Sequence, residues 1–354
     1  MTDPRDHSDP SDHSDQREAH GAGATVVAVL GSGAWGTALA MVLHRNGQRV
    51  RVWGHDAAYA EEIETTRRNR KYLPDVEIPR GIRYAGQFPG TEGRERSTLF
   101  SAVPTQKLRE SLAGLKDLIA PSTTVVSCSK GFEVGSLLRP TEIITEILGV
   151  RSVVCLSGPS HAEEVSRFLP VALVAASADP EAARAVQALL AGVTVRVYTS
   201  GDAVGVEVGG ATKNVVAIAC GISDGLGFGD NARAALMTRG LHEMTRLGLA
   251  LGGEARTFAG LSGMGDLVAT CSSRLSRNWT VGYRVGCGES LDDIIASTEK
   301  VAEGIPTTRS LHQFGIELDL ELPITSEVHA VLFERKSPRQ ALTSLMTRES
   351  KDEQ

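Results

Sequence analysis

Residues 25–30, Thr-Val-Val-Ala-Val-Leu, form a continuous apolar run, and Gly31-Ser32-Gly33-Ala34-Trp35-Gly36 follows it directly before a helical pattern over 34–45. A run that is apolar on both faces suits a strand buried in the middle of a sheet. A G-x-G-x-x-G between such a strand and a helix shapes a cradle for a dinucleotide. Gly31 permits the tight turn, Gly33 lets the backbone approach a pyrophosphate, and Gly36 lets the helix pack closely on the strand. The helix N-terminus then attracts the anion. Glycine-rich loops are common, and it is the position after the first strand of an alternating region that gives this one meaning.

The alternation continues. Short β-branched runs at 50–53, 98–103, 124–128 and 152–156 are separated by helical stretches. One of these, 106–119, repeats Leu108, Leu112, Leu115 and Ile119 at helical spacing. Strand alternating with helix predicts a parallel sheet with right-handed crossovers. Runs at 171–175 and 193–198, around a helix at 180–190, extend it. From about residue 201 long Ala/Gly/Leu-rich stretches take over, at 203–222 and 232–250, and Ser290 and Ser337 stand where helix caps belong. The expected fold is α/β. A Rossmann-type dinucleotide-binding domain spans 24–200, and an all-helical substrate and catalytic domain spans 201–345. Residues 1–23, with the imperfect repeat DHSDPSDHSD, read as a disordered acidic tail.

Charge narrows the function. The net charge is −6, and the first twenty residues hold six acids against two arginines, or −4 of it. The body is nearly neutral, which excludes a nucleic-acid-coating protein. No apolar run approaches the ~18 residues of a spanning helix, and the N-terminus has no basic-then-apolar leader. Five cysteines without a C-x-x-C pair fit a reduced, cytoplasmic protein and suggest neither a disulfide frame nor a metal site.

Several residues carry chemistry. Lys213 has Val206, Gly209, Ala217 and Cys220 at −7, −4, +4 and +7, a small and apolar helical face. A lysine there is desolvated, and its pKa falls toward a value useful for proton transfer. Lys130, in Ser129-Lys130-Gly131, follows a strand and so points toward the cleft at the strands' carboxyl ends. Ser160, in Gly158-Pro159-Ser160, is placed either to cap a helix or to touch substrate. Ser276-Arg277-Asn278 opens a short helix, and helix-start amides with a guanidinium suit a phosphate. Asp266 lies in a glycine-rich turn. At the end of the second strand Trp53 occupies the usual place of the acid that binds a ribose 2′-hydroxyl. With Arg51 and His55 nearby, this predicts NADPH used at least as readily as NADH, unless Asp56 takes over.

The stretch 210–231, GATKNVVAIACGISDGLGFGDN, resembles the signature of NAD(P)-dependent glycerol-3-phosphate dehydrogenases over 22 positions, with one departure at Thr212, where an aliphatic residue is usual. The family's glycine-rich loop with Trp35, its Ser-Lys-Gly, Gly-Pro-Ser, Gly-Met-Gly-Asp and Ser-Arg-Asn elements occur in order over roughly 25–335. The resemblance is to the bacterial biosynthetic form, which supplies sn-glycerol 3-phosphate for phospholipids. It implies Lys213 as the proton carrier for the C2 oxygen. It implies substrate contacts at Lys130, Gly158, Ser160, Lys213, Asp266, Ser276, Arg277 and Asn278. Cofactor positions fall on Gly31, Gly33, Ala34, Trp35, Gly36, His55, Lys130, Ala162, Arg277, Val301 and Glu303. Ala34 replaces the family's usual serine, so one hydroxyl contact is lost. The implied cofactor is NADPH or NADH, the substrate dihydroxyacetone phosphate, and the assembly a homodimer. The rival reading is a β-hydroxyacid dehydrogenase of related architecture, which needs a clamp for a carboxylate instead.

Overall fold

The structure, a computed structural model, describes residues 26–88, 90, 97–298 and 301–348. The tail expected at 1–23 lies outside them. Eight strands form one sheet: β1 (Val26–Leu30), β2 (Arg49–Trp53), β3 (Arg83–Ala85), β4 (Thr98–Ser101), β5 (Thr124–Ser127), β6 (Ser152–Ser157), β7 (Val171–Ala176) and β8 (Val195–Ser200). Their spatial order is β8-β7-β6-β5-β4-β1-β2-β3. β1 lies between β2 and β4, with Val27 level with Val50 and Thr98.

Alternate residues of the strands feed opposite layers. Val27, Val29, Val52, Phe100 and Val126 pack against Leu39 and Leu43 of α1 (Ala34–Arg45). Ala28, Leu30, Leu99 and Val125 pack against Leu108 and Leu112 of α3 (Thr105–Ala113) and Ile143 and Ile144 of α4 (Pro140–Leu148); α2 is Ala57–Thr66. The helix expected over 106–119 stops earlier, because Gly114 ends it and a 3-10 turn, Lys116–Leu118, follows.

Two further features depart from the sequence reading. β7 runs antiparallel to β6, and β8 follows β7 in parallel, so the sheet is not all parallel. The link from β6 to β7 holds only one helical turn, Ala162–Val165, and a parallel crossover needs a longer excursion. Gly158, with φ +126°, turns the chain back at once. The second departure is β3 together with an antiparallel ribbon of Arg68–Asn69 and Leu73–Glu77, whose polar residues carry no strand pattern. The ribbon has a clear task. Buried Asn69 donates from Nδ2 to the Ser32 carbonyl (2.9 Å) and to Thr37 Oγ1 (2.8 Å), and so fastens the glycine-rich loop.

After α5 (Pro180–Leu190) the chain turns helical with α6 (Ala203–Gly225), α7 (Gly229–Ala250), α8 (Asp266–Ser272), α9 (Arg277–Gly286), α10 (Gly304–Glu317) and α11 (Pro323–Phe333). Every residue of α6 from Gly205 to Ser223 is buried. α6 is long and apolar enough to cross a membrane by composition, but 83% of that window is buried inside the protein, so it is a core helix. Glycines let its neighbours approach. A Cβ on Gly221 would stand 2.1 Å from the Trp279 carbonyl oxygen, and one on Gly282 would stand 2.0 Å from that of Ile218. Thr212, the odd residue of the signature, donates to the Val208 carbonyl one turn back (2.7 Å). All five cysteines are free, four buried and Cys287 exposed.

One buried carboxylate ties the helices to the sheet. Glu207 of α6 accepts from the Thr141 amide (2.9 Å), Thr141 Oγ1 (2.6 Å) and the Arg139 guanidinium (2.8 Å) at the start of α4. Removing one partner of a buried pair strands the other. Glu207→Ala should therefore lower the unfolding free energy by about 3 kcal/mol in urea titration. A loss below about 1 kcal/mol would show that this tie is dispensable.

Candidate active site

The three glycines of the loop have distinct geometries. Gly31 has φ +109°, and a Cβ there would lie 2.8 Å from the Ala102 carbonyl oxygen. A Cβ on Gly36 would lie 1.9 Å from the Gly31 carbonyl oxygen, so helix and turn touch through backbone. A Cβ on Gly33 would meet nothing within 4 Å. Gly33 is the N-cap of α1, which has no side-chain cap and no acid in its first turn. The helix start therefore presents bare amides to open space, which suits a pyrophosphate. Trp35 and Ala162 are partly buried against the core beside it.

At the end of β2 the Trp53 indole is buried, edge-on to Phe88 with centroids 4.8 Å apart. Asp56 is engaged, since its carboxylate accepts from the Tyr59 amide (3.0 Å) and caps α2. His55 is exposed, and so is Val301.

Lys130, just past β5, and Lys213, in the middle of α6, converge on Asp266, the first residue of α8. Lys213 Nζ donates to Asp266 Oδ1 (2.5 Å) and to Thr270 Oγ1 (2.7 Å). Lys130 Nζ donates to Asp266 Oδ2 (2.6 Å) and to the Gly158 carbonyl (3.2 Å). Each ammonium has three hydrogens, so each keeps one unassigned. Burial pulls Lys213 down to about 8, against the attraction of Asp266, and Lys130 adds to the depression. Asp266 is itself 2% exposed; burial alone would raise its pKa, but the two lysines outweigh burial and hold it below the ordinary value. Asp266 is thus a buried ion-pair partner and not a turn residue. A single π-helical turn, Leu261–Gly265, delivers it. Gly209 makes room for that turn, since a Cβ there would lie 2.7 Å from the Ser262 carbonyl oxygen.

A second cluster stands at the start of α9. Ser276 caps the helix, accepting from the Trp279 amide (3.2 Å). Arg277 is exposed and makes no hydrogen bond or ion pair among the described residues. Both ends of the Asn278 amide are engaged: Nδ2 donates to Asn214 Oδ1 (2.8 Å), and Oδ1 accepts from the Gly304 amide (2.9 Å). Asn278 thereby joins the residue after Lys213 to the residue after Glu303. Glu303 accepts from the Thr105 amide (3.1 Å), while its Oε2 is buried without a hydrogen-bond partner among the described residues. Burial, against the pull of Thr105, pushes its carboxyl up to about 7. Ser160 is not a helix cap; its hydroxyl donates to the Gly158 carbonyl (2.9 Å), and His161 occupies the cap position.

Sequence reasoning passed over Thr270 and Asn214. Thr270 lies four residues after Asp266, on the same face of α8, and that spacing was the available signal. Asn214 is buried beside Lys213.

The N-terminal model of NAD-dependent glycerol-3-phosphate dehydrogenase matches residues 26–183, and its C-terminal model matches 202–343. The chain belongs to this family. Curated glycerol-3-phosphate dehydrogenases [NAD(P)+] are similar along nearly their whole length. That of Geobacillus kaustophilus is 48% identical over 92% of this chain and 96% of its own. That of Chlorobium phaeobacteroides is 46% identical over 92% and 98%. The crystal structure of glycerol-3-phosphate dehydrogenase from Coxiella burnetii superposes with a TM-score of 0.87 at 38% identity, over 92% of this chain and 99% of that one. Members of the family are NAD(P)-dependent oxidoreductases, and this chain is one of them.

The loop geometry separates two roles by substitution. Gly36→Ala should destabilise the fold by about 3 kcal/mol, because a backbone oxygen cannot move aside. Gly33→Ala should leave the melting temperature within a few degrees of the parent and weaken dinucleotide binding at least about tenfold. Equal dinucleotide affinity in Gly33→Ala and the parent would remove the loop from the cofactor site.

Proposed function

We propose that this protein reduces dihydroxyacetone phosphate to sn-glycerol 3-phosphate, reversibly, with Lys213 carrying the proton of the C2 oxygen. The observation that carries the reading is the buried Lys213, lowered to about 8 and held by Asp266 with a hydrogen to spare. The glycine-rich loop and the uncapped start of α1 would hold a nicotinamide cofactor, which would supply the hydride in reduction and take it in oxidation. Glu303 Oε2, which has no hydrogen-bond partner among the described residues, and the open space at Gly33 fit such a guest.

The chain's own residues do the rest. Protonated Lys213 donates to the carbonyl oxygen as it becomes the C2 hydroxyl. Asp266 keeps the ammonium aimed and Thr270 holds its second hydrogen, so only one hydrogen remains to be given. Lys130, through its own free hydrogen, stabilises negative charge developing on the substrate. The free guanidinium of Arg277 and the first amides of α9 take the substrate phosphate, which positions C2. Asp56 is tied up as a helix cap and Trp53 is buried, so neither offers a carboxylate to the ribose at the end of β2, which favours NADPH. A homodimer, a place in the cytoplasm and a supply of glycerol 3-phosphate to phospholipid synthesis belong to the same reading, on the family resemblance and the five free thiols.

The test is oxidation of NADPH on addition of dihydroxyacetone phosphate. Turnover of hydroxy acids in its place would overturn the reading. Since Lys213 must enter reduction protonated, kcat/KM for reduction should fall as pH rises through about 8. For oxidation of glycerol 3-phosphate it should rise through the same pH, because the unprotonated amine is then the acceptor. Lys213→Ala should cost about 10²–10⁴-fold in kcat with cofactor affinity kept; a loss under about tenfold assigns the proton elsewhere.

Arg277→Ala should raise KM for dihydroxyacetone phosphate strongly and leave unphosphorylated dihydroxyacetone almost unaffected. Arg277→Lys should recover only part of the loss, since lysine keeps the charge but lacks the fork. Equal losses with both substrates would move the phosphate clamp to another residue.

A further inference from the structure

The imidazoles of His312 on α10 and His329 on α11 stack with centroids 3.9 Å apart and planes 12° apart. His329 Nδ1 lies 3.0 Å from Glu334 Oε1, just past the end of α11. One donor atom from each of His312, His329 and Glu334 falls within 4.8 Å of the other two. Among the described residues neither ring nitrogen of His312 has a hydrogen-bond partner. We propose that these three residues form a binding site for a zinc-class divalent cation, separate from the reacting groups.

The chemistry of the donors supports it. Two imidazoles and a carboxylate are a set that zinc accepts, with water completing the tetrahedron. Imidazole binds metal in its neutral form. Burial first and then His312 lower the pKa of His329, with Arg309 adding to this and Glu334 pulling the other way. Arg309 is one nearby cation, with its guanidinium 4.3 Å above the Phe333 ring.

The geometry requires a modest rearrangement. Zinc bonds of about 2.0–2.1 Å place neighbouring donors about 3.4 Å apart. No two donors lie more than 4.8 Å apart, so the widest gap must close by at most about 1.4 Å. Glu334 is exposed and free to close. The rings must leave their stack, because two parallel imidazoles cannot both aim a lone pair at one ion. His312 lies eight residues beyond Gly304, about 12 Å along α10, so the site stands away from the start of the helix, where Glu303 sits. A bound ion ties α10 to α11 across the turn at 318–322.

The experiment uses the full chain, stripped with a chelator and titrated with Zn2+ and with Co2+, whose visible bands report tetrahedral coordination. His7, His13 and His20 of the N-terminal segment are a competing set. Each titration is therefore repeated with all three replaced by alanine. The expected result is one equivalent bound in both backgrounds, with affinity reduced at least about tenfold in His312→Ala and in His329→Ala. The melting temperature should rise with Zn2+ in the parent and stay fixed in either variant. His312→Gln keeps most of the volume and removes the ligand, and so serves if an alanine variant misfolds. Turnover without metal should be unchanged in His312→Gln. Equal affinity in His312→Gln and the parent overturns the proposal. Binding that disappears with the tail histidines alone overturns it too, as does a loss of metal-free turnover in His312→Gln.

Discussion

A single carboxylate, buried Asp266, faces two ammonium groups, that of buried Lys213 and that of half-buried Lys130. Taking each of these ions out of solvent costs several kcal/mol, and only close pairing offsets it. Asp266 offsets the burial of Lys213 above all, and the pairing still leaves a net positive charge. That surplus favours an anionic guest and depresses Lys213. The geometry must come from three separate pieces of chain: the segment after β5, the middle of α6 and the first residue of α8. Much of the remaining structure serves to hold those three pieces in register.

The helical half does this through backbone contact. α6 is buried along nearly its full length, and α9 reaches it through glycine at Gly221 and Gly282. Gly209 and Gly210 then bring the π-turn and the Lys130 stem against the same helix: a Cβ on Gly210 would meet Ser157 Oγ at 2.7 Å and Lys130 Cγ at 3.7 Å. Long side chains at these positions would push Asp266 and Lys130 out of reach of Lys213. The abundance of glycine is thus part of how the ion pairs are built.

The parts legible in the sequence were those written in local pattern. The glycine-rich loop, the apolar strands and the small-residue face of α6 each follow from the spacing of adjacent residues. Lys213 was legible because its helical neighbours predict its burial. The reversal at β7 was not, because strand direction depends on where a connecting segment packs. Of the two readings open for Ser160, the cap fails because the cap rule reads only sequence offset, whereas the turn at Gly158 bends its hydroxyl toward a nearer acceptor. Asp266 looked like a turn acid, since nothing local announces two lysines that arrive from positions 130 and 213. Thr270 and Asn214 are ordinary polar residues whose importance comes from what stands opposite them.

The contact between α6 and α9 also bears on how such a chain can change over generations. Where side chains interlock, a larger residue on one helix can be matched by a smaller one on the other, so sequence drifts while shape persists. At Gly221 and Gly282 the opposing atoms are carbonyl oxygens of the main chain. No exchange elsewhere can shorten a carbonyl. These two positions have no compensating partner, and the crossing is closed to paired replacement. Variation is pushed to the outer faces of α7, α10 and α11, where ordinary side-chain packing lets one change answer another.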